Sequence, residues 1–288
     1  MTSMLSRRGF SVRVFLPDGD PAGVKVVEKS NWSGCGLVIP RTLFGDAKGR
    51  PELARAGVYL LVGESEVGPL PKVYVGEGDP VRPRLEQHAK AKEFWTHAVV
   101  FTSKDQNLNK AHVQRLEARL VELAASAKRC VLDNGNVPQP PSLSEADTAE
   151  VEGFLSDALL CLPTLGYTFF EQAQATARRN GTLQLNVRGA EATGTDTPQG
   201  FVVHAGAHAS KEETKSCHAY MREIRAELLR QGVLTDNGEF YELMQDYTFG
   251  SPSTAAGVLV GAAQNGRTAW KTADGRTLKS IQDAEAGG

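Results

Sequence analysis

Two tyrosines, an arginine and a histidine follow one another in an order that could serve phosphate chemistry. Tyr59 ends the segment Gly57-Val58-Tyr59, Tyr74 begins the segment Tyr74-Val75-Gly76, and Arg84 and His88 come soon after. An arginine can bind a phosphate through paired charge-assisted hydrogen bonds from its planar guanidinium group. Taken singly, a strand tyrosine usually packs in a core and a basic helix face is as often simply solvated, so the prediction depends on the combination.

A carboxylate and an amide further along the chain extend this set. Residues 109–128 carry apolar side chains at the spacing of an amphipathic helix, and Glu117 borders the apolar stripe. A carboxylate there is costly without a positive partner, which is either a basic side chain or a metal ion. Asn134 follows the helix, and Asn136 is close enough to be confused with it.

A hairpin, a helix and a third strand would position these groups. The apolar segments around the two tyrosines, separated by a turn-like stretch over 64–71, predict an antiparallel hairpin. A register that pairs Tyr59 with Tyr74 would place both phenols on one face, although the loop leaves the register open. Asp79 as a cap and Pro80 at the first helical position predict a helix that ends at about Lys92. Residues 94–102 predict the third strand.

In this order the residues resemble the signature of the GIY-YIG nuclease family. The resemblance covers roughly residues 56–136 and implies an α+β domain with a small antiparallel three-stranded sheet and flanking helices. It implies these roles: Tyr59 and Tyr74 as the signature tyrosines, Arg84 as the phosphate contact, His88 as the residue one helical turn later, Glu117 as the single metal ligand and Asn134 as the family asparagine.

The resemblance further implies a metal-assisted hydrolysis of phosphodiester bonds in DNA, with one Mg²⁺ or Mn²⁺ ion on Glu117. Tyr74 would be the general base, assisted by Tyr59 or His88. In many relatives a lysine follows the second tyrosine by three residues, but this chain has Glu77 there. The difference leaves either His88 as the base, which its ordinary titration range would suit, or a less active site.

Composition sets wider limits. The 288 residues are enough for two domains. The formal net charge of −2 gives no global attraction to nucleic acid, but residues 72–129 hold eleven Lys or Arg against seven Asp or Glu, a net of +4. No segment approaches the roughly 20 apolar residues that span a bilayer, and the start of the chain, with Arg7 and Arg8, does not read as a secretory signal. These features predict a cytoplasmic protein without a membrane partner; they leave the oligomeric state open.

The chain is predicted to divide into four parts. Residues 1–50 form a β-rich extension that either packs on the nuclease sheet or forms a small β unit, and residues 51–137 form the nuclease domain. Residues 138–180, which begin with a proline-rich stretch, form a linker and a connecting helix. Residues 181–288 form a second small α+β domain of accessory function.

The accessory domain has its own predicted elements. Strands are predicted at Leu183 to Val187 and at Phe201 to His204, followed by a helix that stops at Gly232. Ser251 before Pro252 predicts another helix start, and Asn265-Gly266 predicts a turn into a strand that contains Trp270.

This C-terminal stretch resembles a domain of unsettled function that is often attached to GIY-YIG nucleases, and also the small modules fused to restriction and modification enzymes. The same residues are also compatible with a purely structural role as helix starts and turns. If the domain binds DNA, Arg267, Lys271 and Arg276 are its candidate backbone contacts. Its three histidines do not have a spacing typical of metal ligands: His204, His208 and His218.

Two functions follow from these patterns. The first is a metal-dependent DNA endonuclease, in restriction or mobile-element defence, whose C-terminal domain selects or holds the substrate. The second is a nucleic-acid-binding protein that keeps the nuclease fold without turnover, a hypothesis that Glu77 favours. Spacing alone leaves RNA open as a substrate.

Overall fold

The structure is a computed structural model that describes residues 9–66, 68–105, 107–171 and 181–286. Arg7, Arg8 and residues 172–180 of the predicted linker lie outside the described residues. Within the described part, the chain forms two compact units, one built from residues up to 65 and from 70–170, the other from 66–69 and from 171 onward. Each unit has its own hydrophobic core and its own seven-stranded sheet.

Within its described residues, the first unit contains seven strands, four helices and three short 3₁₀ turns. The strands are β1 (Val12–Phe15), β2 (Lys25–Lys29), β3 (Gly34–Pro40), β4 (Gly57–Gly63), β5 (Lys72–Gly78), β6 (Trp95–Ser103) and β7 (Val131–Leu132). The helices are α1 (Phe44–Ala47), α2 (Arg82–Ala91), α3 (Lys110–Ala127) and α4 (Glu145–Cys161), and the 3₁₀ turns are Arg41–Leu43, Pro51–Ala54 and Pro163–Leu165.

The predicted small three-stranded sheet is wrong. The strand order is β1-β2-β3-β6-β4-β5-β7, with antiparallel pairing throughout except for the parallel pair β5 and β7. The hairpin β4–β5 and the strand β6 lie side by side, but β6 also pairs with β3 along seven residues on its other edge. The strands before residue 50 therefore continue the same sheet.

The reason for this larger sheet lies in β3. All seven of its residues are buried, which is the pattern of a strand with neighbours on both edges and cover on both faces. An apolar run of this kind predicts a central strand, but it does not specify the partner strand.

Side chains of β4 alternate between two cores, as strand geometry requires. Tyr59 and Leu61 face the core that contains Leu85 of α2. Val58 and Leu60 face the core that contains residues of α3 and α4. Helices therefore cover both faces of the sheet, and α4, predicted as a connecting helix, packs in the core of the first unit.

The second unit contains the other strands and helices. The strands are β8 (Leu183–Val187), β9 (Ala190–Thr197), β10 (Gly200–Val203), β11 (His208–Ala209), β12 (Leu234–Asp236), β13 (Tyr241–Leu243) and β14 (Tyr247–Phe249), and the helices are α5 (Ala219–Arg230), α6 (Pro252–Val260), α7 (Gly266–Ala269) and α8 (Leu278–Ala286). The sheet runs β12-β13-β11-β9-β10-β14, and β8 also pairs with β9.

Two local predictions need correction. The helix α2 begins at Arg82 rather than at Pro80, because Pro83, which lacks a backbone N–H, is the proline that occupies the first helical turn. Asn265-Gly266 starts the short helix α7 instead of a strand, because the Asn265 side chain accepts a hydrogen bond from Arg267 N, and Trp270 follows as the residue that ends this helix. The predicted cap at Ser251 is confirmed by its bond from Thr254 N.

Within the described ranges, no helix combines the length and the apolar character needed to cross a membrane.

Candidate active site

The hairpin register brings the two tyrosines together on one face. Tyr59 pairs with Gly76 and Tyr74 pairs with Leu61, so the tyrosines are diagonal neighbours rather than the direct pair considered from the sequence. Their ring centres are 6.3 Å apart. Tyr59 is fully buried and Tyr74 is half-buried.

His88 completes an aromatic cluster with these tyrosines. Its ring centre lies 4.8 Å from that of Tyr74 and 5.8 Å from that of Tyr59. Burial, reinforced by the charges of Arg84 and Lys92, lowers the pKa of His88 to about 4. The imidazole is therefore neutral near pH 7 and able to accept a proton, but it is a weak base.

Two polar atoms of this cluster are buried without a hydrogen-bond partner among the described residues: the Tyr59 hydroxyl and Nε2 of His88. Buried polar groups are nearly always paired in folded proteins, because an unmet hydrogen bond costs stability. Two such atoms in adjoining rings indicate a place where water or a ligand group completes the bonding.

Burial raises the pKa of both tyrosines. For Tyr59 the neighbouring Tyr74 and the carboxylate of Glu117 add to this increase, and for Tyr74 the charges of Glu117 and Asp133 do so. The positive charge of Arg84 and its polar side-chain interaction with each phenol oppose the increase. Arg84 and Glu117 therefore lie within electrostatic reach of both tyrosines, although they come from different helices.

Arg84 is exposed on α2, where its Nη1 donates a hydrogen bond to Oε1 of Gln87 at 3.1 Å. His88, one turn later on the same helix, points into the core. The guanidinium group is thus placed at the solvent side of the aromatic cluster, where an incoming phosphate could exchange with the Gln87 amide.

Glu117 is a half-buried carboxylate on α3. Burial, together with the nearby charge of Glu77, raises its pKa to about 7, against the opposing charges of Arg84 and Lys110. A carboxylate held in this way has a strong gain from binding a cation, because the cation restores the charged form that burial disfavours.

Glu77 stands beside Glu117 and is engaged by a lysine. Nζ of Lys110, on the first turn of α3, lies 2.6 Å from Oε1 and 2.8 Å from Oε2 of Glu77. The sequence reasoning did not consider Lys110 as part of the site. Lys110 lies seven residues before Glu117, and this spacing places both side chains on one side of the helix. The spacing could have identified Lys110 as a residue of the site.

The side chain of Asn134 hydrogen-bonds to the backbone at the edge of β5. Its Oδ1 accepts a hydrogen bond from Val75 N at 2.9 Å, and its Nδ2 donates to Val75 O at 2.8 Å. The strand β7 pairs only with Lys72 and Val73, so the Asn134 amide continues the ladder beside Tyr74. Asn136 is exposed.

Three charged residues missed by the sequence reasoning border the cluster. Nζ of Lys92 lies 4.4 Å from the centre of the Tyr74 ring and forms an ion pair with Asp133. Lys72 binds the other oxygen of Asp133 at 2.8 Å. Lys92 follows His88 by four residues, and this helical spacing was the signal that could have identified it.

The candidate DNA contacts of the second unit are exposed, and two of them are already paired. Arg267 binds Asp283 at 2.7 Å and also donates to Gln282, while Arg276 binds Asp274 at 2.8 Å. Lys271 is exposed and makes backbone pairings with Gln184 and Thr277.

The three histidines of the second unit have separate surroundings. His204 lies between the Thr195 hydroxyl at 3.0 Å and the Asp246 carboxylate at 3.2 Å. His208 stacks on Phe240, and His218 stacks on Tyr220. Over the part of the chain that the structure describes, no group of three or more His, Cys, Asp or Glu residues is arranged to hold a metal ion.

Comparison with known proteins finds a family similarity within the second unit. Residues 183–282 match the family described as "Domain of unknown function (DUF4357)". The match covers about a third of the chain, 100 of 288 residues. No curated protein and no solved structure matches the chain.

Proposed function

We propose that the first unit is a metal-dependent endonuclease that hydrolyses phosphodiester bonds in DNA. The observation that carries this proposal is the meeting of two buried, unpartnered polar atoms, on Tyr59 and His88, with an exposed arginine and a carboxylate of raised pKa. These groups supply a phosphate contact, proton acceptors and an oxygen ligand within one cluster. A structural core does not require that combination.

The donor set fits a hard divalent cation. Mg²⁺ is typically held by one or two carboxylates, with water and substrate phosphate oxygens in the other positions. Glu117 would hold Mg²⁺ or Mn²⁺, and the adjacent Glu77 adds negative charge. When bound, such an ion stabilises the negative charge that develops on the leaving oxygen.

The other side chains bind the phosphate, accept the proton and orient the reacting groups. Arg84, which donates a hydrogen bond to Gln87, neutralises charge on the phosphoryl oxygens. Tyr74 accepts a proton from the attacking water. The neutral imidazole of His88 and the Tyr59 hydroxyl orient that phenol and the water through their open hydrogen-bonding positions. In this proposal the second unit holds the DNA through Arg267, Lys271 and Arg276.

A second candidate, a nucleic-acid-binding protein without turnover, is favoured by one observation. The pair of Lys110 with Glu77 places a fixed cation beside Glu117, where it competes with a metal ion. The two candidates differ in whether any phosphodiester bond is cut.

The test is incubation of the full chain with supercoiled plasmid, single-stranded DNA and RNA, with and without Mg²⁺ or Mn²⁺. Glu117→Gln and Arg84→Ala should each reduce cleavage by about 100-fold or more, as expected for loss of a charge-stabilising group. Glu122→Gln and Lys90→Ala are matched controls, since both residues are exposed on the same two helices. Cleavage that persists in both site variants would overturn the proposal, and metal-independent binding without cutting would favour the second candidate.

A further inference from the structure

Lys92 is positioned to act on Tyr74 from the end of α2. It follows the last helical residue, its side chain is only 23% exposed, and its ammonium group lies 4.4 Å from the centre of the Tyr74 ring. A cation over the face of an aromatic ring is attracted to the ring, and more strongly where water is partly excluded.

The charge of Lys92 is not cancelled by its acidic partner. Asp133 accepts bonds from both Lys92 and Lys72, so the three side chains together carry one excess positive charge. Lys72 itself lies over the ring of Phe94, 4.8 Å from its centre. The positive charge that borders Tyr74 on this side therefore comes from the lysine pair.

Tyr74 is also bordered by two rings and by further charged groups. Tyr59 and His88 contact its ring. Arg84 contributes positive charge and a polar side-chain interaction with the phenol, whereas Glu117 and Asp133 contribute negative charge. His88 is neutral near pH 7, so Arg84 and Lys92 are the cations that face the phenol from α2 and its end. Arg84 is exposed and screened by water, while Lys92 is largely sheltered.

We propose that Lys92 is a positioning residue for Tyr74: its ammonium group holds the phenol ring against His88 and stabilises the phenolate form. The inference rests on the proposed nuclease function for its chemical purpose. In that reaction the Tyr74 phenolate takes one proton from the attacking water, whose oxygen forms the new bond to phosphorus. The bond from phosphorus to the leaving oxygen breaks, and that oxygen takes up a proton from solvent.

The decisive measurement is the titration of Tyr74 in the full chain. Protein made with 3,5-difluorotyrosine, whose phenols titrate at lower pH than those of tyrosine, gives fluorine NMR signals for each tyrosine, and Tyr74→Phe assigns the signal of interest. Lys92→Met should raise the pKa of Tyr74 by roughly half a unit to one unit, whereas Lys92→Arg, which keeps the charge, should restore most of it. Lys90→Met is the control, since Lys90 is exposed on the same helix.

A purely structural lysine would give a different result. In that case Lys92→Met would lower stability but leave the Tyr74 titration unchanged, and the proposal would be overturned. If Lys92→Met does not fold, Lys92→Gln replaces it: loss of the ammonium charge should again raise the pKa of Tyr74, and an unchanged titration would again contradict the proposal.

The cleavage assay separates this inference from the proposed function. If the wild-type chain cuts DNA, Lys92→Met should lower kcat and shift the pH–rate profile towards higher pH, with KM little changed. If the wild-type chain does not cut under any metal condition, the nuclease function fails, while the NMR titration still decides whether Lys92 stabilises the Tyr74 phenolate.

Discussion

Tyr59 and Gly76 face each other directly in the β4–β5 ladder, and the Tyr59 ring lies over the position that a side chain at 76 would occupy. A Cβ atom at Gly76 would stand 2.4 Å from both Cζ and the hydroxyl oxygen of Tyr59. Real Cβ atoms do not approach other heavy atoms this closely. The absence of a side chain at Gly76 thus leaves the space that the Tyr59 ring occupies.

Gly76→Ala should therefore destabilise the protein by about 1–3 kcal/mol, the usual cost of overpacking a close-fitting core. Urea unfolding measures this change. Adding the alanine to a Tyr59→Leu background should cost less than adding it to the wild type, because the clashing ring is gone. Gly45→Ala is the control, since a Cβ at Gly45 has nothing within 4 Å. Equal costs in the two backgrounds would contradict this account.

The pairing of Tyr59 with Gly76 separates what the sequence could predict from what it could not. The apolar runs of β4 and β5 on either side of a turn-like stretch and the amphipathic spacing of α3 are local patterns, and local patterns predicted these elements. The register that sets Tyr59 against Gly76 depends on both strands and their loop, so it could not be read from either strand. Sheet size was missed for a related reason, because the apolar run of β3 does not reveal that β6 is its partner.

In the candidate site, too, the elements could be predicted from the sequence but the contacts between distant residues could not. The hairpin and the helix that carry Tyr59, Tyr74 and His88 were predicted as elements, but the contact of the three rings depends on the hairpin register, which the sequence left open. The ion pair of Glu77 with Lys110 and the position of Lys92 over Tyr74 join residues distant in the chain. Charges of this kind set the pKa values of the site, and only the folded arrangement reveals them.

The Asn134 amide should be required for stability at the edge of β5. Asn134→Ala leaves the N–H and C=O of Val75 without their side-chain partner, which should cost about 1–3 kcal/mol for the two bonds. Chemical denaturation gives the value. Asn136→Ala should have an effect within about 0.5 kcal/mol, since Asn136 is exposed. Similar costs for both variants would mean that the amide ladder does not stabilise this edge.

His88 should make the protein less stable in acid. Its pKa is about 4 in the folded state against 6.5 for the free side chain. The folded state is therefore fully stable with respect to this group above pH 6.5. Stability is lost as the pH falls towards 4, because the unfolded chain takes up the proton first.

The difference corresponds to at most about 3 kcal/mol of unfolding free energy. His88→Phe keeps a ring and removes the titration, so its stability should fall less steeply between pH 7 and pH 4. Denaturation curves at several pH values test this expectation, with His218→Phe as the exposed control. Parallel pH profiles for His88→Phe and the wild type would refute it.

Glu77 should control the protonation of Glu117. The charge of Glu77 is the second contribution, after burial, to the raised pKa of Glu117. Glu77→Gln removes that charge and frees Lys110 from its ion pair, so the pKa of Glu117 should fall by roughly half a unit to one unit. Carbon-13 NMR of the side-chain carboxyl groups, assigned with Glu117→Gln, measures the shift. Glu122→Gln should leave it unchanged, and a Glu117 titration that does not respond to Glu77→Gln would exclude the coupling.

The paired cations of the second unit should exchange acidic partners for phosphates if this unit binds DNA. Replacing Arg267, Lys271 and Arg276 by Gln in one triple variant should weaken DNA binding. It should also reduce the slope of the logarithm of the binding constant against the logarithm of the salt concentration by about 2–3, close to 0.9 for each lost phosphate contact. Asp274→Asn and Asp283→Asn should have the opposite effect, because each frees an arginine that is now ion-paired. Lys279→Gln, an exposed residue of α8, is the control. Fluorescence anisotropy with labelled duplex DNA at several salt concentrations gives the slopes, and equal slopes in the triple variant and the wild type would remove these residues from the interface.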